Sequence, residues 1–325
     1  MPHSQRDYLL CINKVIDERL SLLASRDFFA HAENHLKNAC AHLSVSDHAK
    51  RIRPLVCLYY HELFQEDFDE RLVDIAVAAE FIHTASLLHD DIIDDAERRR
   101  GKHSVNRIYG NKIAVLAGDY LLSEAFKLLL SKDRVLVDKA IMVVSEMTKA
   151  AVAEFNARGN MDVGVADLQK IAVGKTGYLF SWCGFAVSIL CGRPDMTDSL
   201  WQLGKHIGII FQLADDIKDF DGDHALKDVG RDLRNLDLSV PILLAAQEDQ
   251  GVMQELQRLA QGHEVSDEKV NQLGRQIQHG QALIKTRTMM SHEIEKALTI
   301  IGALPASKSR DNLTRFVTAL GLCVY

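Results

Sequence analysis

Between Pro54 and Pro194 the chain runs without a proline. Proline removes a backbone donor and clashes with the preceding helical turn, so a stretch this long without it suits one helix after another. The remaining prolines of the 325 residues stand at positions 2, 241 and 305. Strand alternation and hairpin turn pairs are almost absent, while apolar residues recur at helical spacing. Helices are predicted over residues 72–95, 112–130, 135–155, 165–190 (with a break near Gly174), 239–250 and 267–300. The first of them is apolar on nearly every side until its carboxylates begin, the mark of a central, buried helix. A further helix carries the stripe Leu203, Ile207, Ile210, Ala214 and Ile217. No Gly/Ser linker or low-complexity tract divides the chain, so residues 1–325 read as one all-α domain.

Two acidic triplets share one spacing. Asp90, Asp91 and Asp94 lie in LLHDDIIDDAERRRGK, and Asp215, Asp216 and Asp219 lie in FQLADDIKDFDGD. Carboxylates at i, i+1 and i+4 fall on one side of a helix. Like charges that close repel unless a cation sits among them, and hard oxygen ligands with room for water and phosphate suit Mg²⁺. Two such clusters facing each other would hold several Mg²⁺ ions and, through them, a phosphorylated substrate. One cluster alone could be a solvated helix face; two with identical spacing, in apolar surroundings with cations nearby, argue for a site. Gly208, Gln212 and the second triplet share a side next to the apolar stripe and are expected to line a cavity. Lys50, Arg51, Arg53, Arg98, Arg99, Arg100, Lys102, Lys175 and Lys227 supply the cations that a diphosphate needs.

The net charge of −7 leaves no basic footprint, so nucleic acid is not an expected partner. Six cysteines lack C-x-x-C spacing and read as reduced core residues of a cytoplasmic protein. The N-terminus lacks the layout of a signal peptide, and no uncharged run is long enough to span a membrane.

The blocks FIHTASLLHDDIIDDAERRRGKHSVNRIYGNKIAVLAGDYLL, GKTGYLF, FQLADDIKDFDGDHALKDVGRDL and KRIRP resemble the motifs of the trans-prenyl diphosphate synthases, most closely the long-chain, octaprenyl type. The likeness runs from about Lys50 to Pro241. It implies a helical bundle around a deep central cavity, a homodimer, and condensation of isopentenyl diphosphate with an allylic diphosphate in the presence of three Mg²⁺ ions. Carried over residue by residue, it makes Asp90, Asp94, Asp215 and Asp219 direct metal ligands, with Asp91 and Asp216 supporting. It gives Arg99, Lys175 and Lys227 to the allylic diphosphate, and Lys50, Arg53, His83 and Arg100 to isopentenyl diphosphate. Thr176 and Gln212 are expected near the developing cation, with Lys175 completing the catalytic set. Ala85 and Ser86, one turn before Asp90, and Ile82 beyond them are expected to set chain length: a small pair lets the tail pass and favours a long product.

Several positions depart from the family pattern. His48-Ala49 stands where a Gly-Gly pair is expected, Asp237 where a lysine is expected, and Ala157 of AEFNARG where a glutamine is expected, with Glu154 kept. These motivate a second reading as a weakly active or non-catalytic subunit of a heteromeric synthase. A short-chain (farnesyl or geranylgeranyl) synthase is a third. A class I terpene cyclase would carry an Asn/Ser/Glu triad where this chain keeps DDIKD.

Overall fold

The computed structural model describes residues 4–21, 30–44, 50–65, 67–99, 101–220, 231–261 and 266–322. In chain order the helices are α1 (Gln5–Ser21), α2 (Ala30–Ser44), α3 (Ile52–Glu62), α4 (Arg71–Ile93), α5 (Val105–Tyr109), α6 (Asn111–Leu130), α7 (Arg134–Ala157), α8 (Val165–Ala172), α9 (Tyr178–Leu190) and α10 (Thr197–Phe220). They continue as α11 (Arg231–Asn235), α12 (Val240–Glu248), α13 (Gln250–Ala260), α14 (Asp267–His279), α15 (Gln281–Gly302) and α16 (Lys308–Gly321). Among the described residues the only sheet pairs β1 (Arg98–Arg99) with β2 (Lys102–His103), antiparallel.

Internal packing divides the chain into two compact units, Met1–Val144 with Trp182–Asp198, and Ser145–Ser181 with Ser199–Tyr325. The divisions fall inside α7, α9 and α10 rather than in linkers.

In the first unit α4 is the central element. Leu72, Ile75, Ala76, Ala78, Ala79, Phe81, Ile82, Ala85 and Leu88 are all buried, so most of the helix is closed off from solvent, with Asp74, His83, Ser86 and Leu87 half-buried. Its alanines let α6 approach closely with Ala114, Ala117 and Ala125. By length and composition α4 could cross a membrane, but 67% of its apolar window is buried inside the fold, which identifies a core helix. The small side of α1 is a plain i, i+4 stripe of Tyr8, Ile12, Ile16 and Leu20, all buried. In the second unit α12, α15 and α16 pack together, and His206 of α10 donates to Glu293 of α15 at 2.7 Å. Burial pushes the Glu293 carboxyl up, but the His206 and Lys296 contacts outweigh it and leave it below the ordinary range.

Three predicted helices are interrupted. The run over 267–300 breaks at Gly280, whose extended backbone ends α14. The run over 239–250 ends at Glu248, because Asp249 turns outward and caps α13 through Gly251 N–H at 2.7 Å. The break near Gly174 is a π-helical turn, Val173–Gly177, joining α8 to α9. The described cysteines Cys11, Cys40, Cys57, Cys183 and Cys191 are free thiols, buried or half-buried.

Candidate active site

The first acidic triplet ends α4. Asp91, the middle residue, has no exposed surface, and its Oδ1 accepts the Arg99 Nε–H at 2.7 Å. Asp90 is half-buried and Asp94 exposed, so the outer carboxylates are the open ones. The chain behind them is tied down: Ala96 N–H donates to Asp91 O at 2.8 Å, and the Asn106 amide donates to the same carbonyl at 3.2 Å. Ser104 Oγ donates to Ala96 O at 2.6 Å, and His42 Nε2 donates to His103 O at 2.8 Å. Arg99 therefore braces Asp91 in this structure. Asn106 and Ser104 escaped the sequence reading, because polar residues after a charged run look like ordinary turn formers.

The basic loop before α3 divides its labour. Lys50 is exposed and Arg53 half-buried. Arg51, grouped with them by sequence, instead turns inward from a left-handed backbone (φ 50°). Its guanidinium reaches Glu80 of α4 at 2.7 Å, Asn13 of α1 at 3.0 Å, and the Ser44 carbonyl of α2. A charge taken from water needs such a full set of partners. His83, on α4, is half-buried. Ser86 keeps some exposed surface and its hydroxyl donates to His83 O at 2.8 Å. Ala85 and Ile82 are closed in by neighbours, at 0% and 1% exposure. Of the expected chain-length residues, only Ser86 keeps exposed surface in the chain.

In the second unit the same arrangement recurs on α10. Asp216, the middle residue, is 3% exposed, while Asp215 is exposed and Asp219 half-buried. Asp216 Oδ2 accepts Val240 N–H at 3.0 Å and its Oδ1 accepts the Gln212 amide at 2.9 Å. Gln212, expected beside the reacting carbon, here holds Asp216. Burial pushes the Asp216 carboxyl up to about 7 and the Asp215 and Asp219 charges add to the rise, against the two hydrogen bonds. Asp219 Oδ2 accepts Asp232 N–H at 3.1 Å. Asp237, whose negative charge departs from the family pattern, is answered by Arg158 at 2.8 Å.

Lys175 and half-buried Thr176 sit in the π-helical turn, and Lys175 is hydrogen-bonded to Glu154 of α7. A π-turn carries one extra residue, a feature frequent at functional sites. It is wedged between two helices. A Cβ on Gly174 would lie 2.5 Å from Ala150 Cβ, and one on Gly208 of α10 would lie 2.3 Å from Gly177 Cα. Gly208 was expected to line a cavity; it is instead the point where α10 meets the backbone of the π-turn. Behind this crossing Phe180 stacks on Phe211 with ring centroids 5.5 Å apart.

Arg100, Lys227, His48 and Ala49 lie outside the described residues. Among those described, no three His, Cys, Asp or Glu side chains converge on one point. Carboxylate oxygens suit Mg²⁺, which keeps much of its water and takes one or two carboxylates plus substrate phosphate. Asp90, Asp94, Asp215 and Asp219 keep exposed surface and are the carboxylates that could hold it.

Helices ending in two acidic triplets built alike, with cations close by, make an all-α enzyme of diphosphate chemistry. A sequence profile of the Polyprenyl synthetase family matches residues 33–277. The all-trans-nonaprenyl-diphosphate synthase (geranyl-diphosphate specific) of Rhodobacter capsulatus is 32% identical over 286 residues, 84% of this chain and 87% of that protein. The farnesyl diphosphate synthase of Bacillus subtilis (strain 168) is 33% identical over 261 residues, 75% of this chain and 86% of its own. Among solved structures, the decaprenyl diphosphate synthase from Rhodobacter capsulatus matches with a TM-score of 0.87 at 26% identity, covering 98% of this chain and 97% of that one. The polyprenyl synthase from Caulobacter crescentus CB15, complexed with calcium and isoprenyl diphosphate, matches with a TM-score of 0.85 at 25% identity, covering 97% and 94%. The chain belongs to the polyprenyl synthetase family and is an enzyme of prenyl transfer.

Proposed function

We propose that this chain is a Mg²⁺-dependent, head-to-tail prenyltransferase that condenses isopentenyl diphosphate with an allylic diphosphate to give a long trans-polyprenyl diphosphate. The observation that carries this reading is the repeated asymmetry of the triplets. In each, the middle carboxylate is buried and hydrogen-bonded by the protein, and the outer two keep exposed surface. Three bound Mg²⁺ ions would supply Lewis acidity, drawing charge onto the departing diphosphate. The protein's part is to hold and to exclude. Asp91 and Asp216 fix the helix ends on which their neighbours stand. Lys175, Lys227 and Arg99 take the allylic diphosphate, and Lys50, Arg53, His83 and Arg100 take isopentenyl diphosphate. Thr176 and Gln212 present oxygen dipoles to positive charge that develops nearby. Apolar walls keep water from trapping that charge.

The nonaprenyl and decaprenyl relatives support a long product, and the farnesyl synthase relative keeps the short one as the competing reading. Mass spectrometry of products from isopentenyl diphosphate and several allylic starters decides between them, and a purified chain that releases no product would favour the non-catalytic subunit. Ser86→Phe is expected to shift the products to markedly shorter chains, because an aromatic ring at the exposed position would block the tail. An unchanged distribution from a folded, active Ser86→Phe protein would place the floor elsewhere.

We also read the protein as a single-domain, cytoplasmic homodimer. Val115, Leu116 and Leu130 on α6 and Ile141, Val152 and Phe155 on α7 are exposed apolar side chains of the kind that a subunit contact would cover. Light scattering should return twice the chain mass, and a monomer at micromolar concentration would sink this assignment.

A further inference from the structure

Residues 232–240 form a strap across the second acidic triplet. Its first N–H, from Asp232, donates to Asp219 at 3.1 Å, and its last, from Val240, donates to Asp216 at 3.0 Å. Its first residues belong to α11, which is closed by Asp237 N–H donating to Asp232 O at 2.9 Å. Two carboxylates of the triplet are therefore oriented by backbone groups of one short segment.

That segment is fastened on two sides: Arg234 reaches Asp267 at 3.0 Å and Asn271 at 2.7 Å on α14, and the middle of the strap is tied to the end of α7. Gly159 N–H donates to Leu236 O at 3.1 Å, and Arg158 Nε reaches Asp237 Oδ1 at 2.8 Å. The Arg158 guanidinium also lies over the Phe155 ring, 5.6 Å from its centroid, which fixes its direction. Leu236, between the two fastenings, has φ 58°. This is the left-handed residue that closes α11, and a bulky side chain is uncommon there, so the neighbouring contacts help to hold it. One turn earlier on α7, Glu154 holds Lys175. The last turns of α7 thus hold both the lysine of the π-turn and the strap.

We infer that Arg158 and Asp237 form a latch that positions Asp216 and Asp219, making Arg158 a positioning residue for the cation and diphosphate bound at the second triplet. The inference rests on the prenyl transfer reading for the identity of that ligand, while the latch itself rests on the contacts within the chain.

The test compares Arg158→Ala, Asp237→Ala and the charge swap Arg158→Asp with Asp237→Arg. Both side chains are partly exposed, at 28% and 32%, so the variants should fold. Amide hydrogen exchange at Asp232 and Val240 is measured without substrate, and turnover is measured across a Mg²⁺ series. Each single variant should speed exchange at both amides and raise the Mg²⁺ needed for half-maximal rate by about tenfold, the lower end for outer partners of metal ligands. The maximal rate should change little, and the swap should restore both readouts. Unchanged exchange in the singles, faster exchange with an unaltered Mg²⁺ series, or a swap no better than the singles would each overturn the latch. If the parent protein makes no prenyl product, the function fails and inorganic diphosphate binding across the same Mg²⁺ series takes the place of turnover.

Discussion

Asp90→Ala and Asp215→Ala should each lower turnover by about a thousandfold or more while leaving the fold intact. Lewis-acid stabilisation of a departing diphosphate amounts to several kcal/mol, and each 1.36 kcal/mol is about a factor of ten in rate. Both side chains keep exposed surface, so their removal leaves no cavity. Circular dichroism and the melting temperature should match the parent, and the loss should appear in kcat as well as in kcat/KM. Raising Mg²⁺ should recover only part of it, because under the proposed mechanism the missing oxygen would be a ligand in the transition state. Near-normal turnover by Asp215→Ala would show that one triplet suffices and that the paired mechanism is wrong here.

Glu80→Ala should act on the fold rather than on the chemistry. It leaves the Arg51 guanidinium buried with its carboxylate partner gone, and breaking a buried pair from one side costs about 3–5 kcal/mol. Against a typical stability of about 5–15 kcal/mol, that is a large share. Urea denaturation should show a lower midpoint with an unchanged slope. The double variant Arg51→Met with Glu80→Leu should regain most of the loss, since two apolar side chains leave no orphaned charge. It should still bind isopentenyl diphosphate poorly, because Lys50 and Arg53 flank the anchor that was removed. A Glu80→Ala protein within about 1 kcal/mol of the parent would mean that water reaches the pair after all.

Much of this could be read from the chain, for reasons that differ by feature. The i, i+1, i+4 spacing of the aspartates is a local property, and by itself it puts each triplet on one helical side. Which of the three would be buried is a tertiary matter, decided by Arg99 for Asp91 and by Val240 for Asp216. Glu80 did leave a signal: a lone carboxylate inside AVAAEFIHTASLL must find a partner if the helix is buried. Its partner, Arg51, was hidden among cations that suit an anionic substrate equally well. The break at Gly280 was missed because a glycine within a helical pattern is often tolerated, and here extended backbone replaced the next turn. Arg158 and Asp237 are far apart in sequence, and no periodicity connects a helix end to a strap.

The π-helical turn bears on which changes in chain length this protein could survive. Losing one residue from Val173–Gly177 would convert the turn to an ordinary α-helix, a locally more regular structure. It would also rotate Tyr178–Leu190 by about 100° around its axis, the angle one residue subtends. Trp182, now fully buried with its indole donating to Leu136 O at 3.2 Å, would swing out of its place, and Lys175 would leave Glu154. Surface loops absorb insertions and deletions with little consequence. This helix cannot, so the five-residue turn fixes the count of residues between the start of α8 and the end of α9 as firmly as a tooth count fixes the phase of a gear.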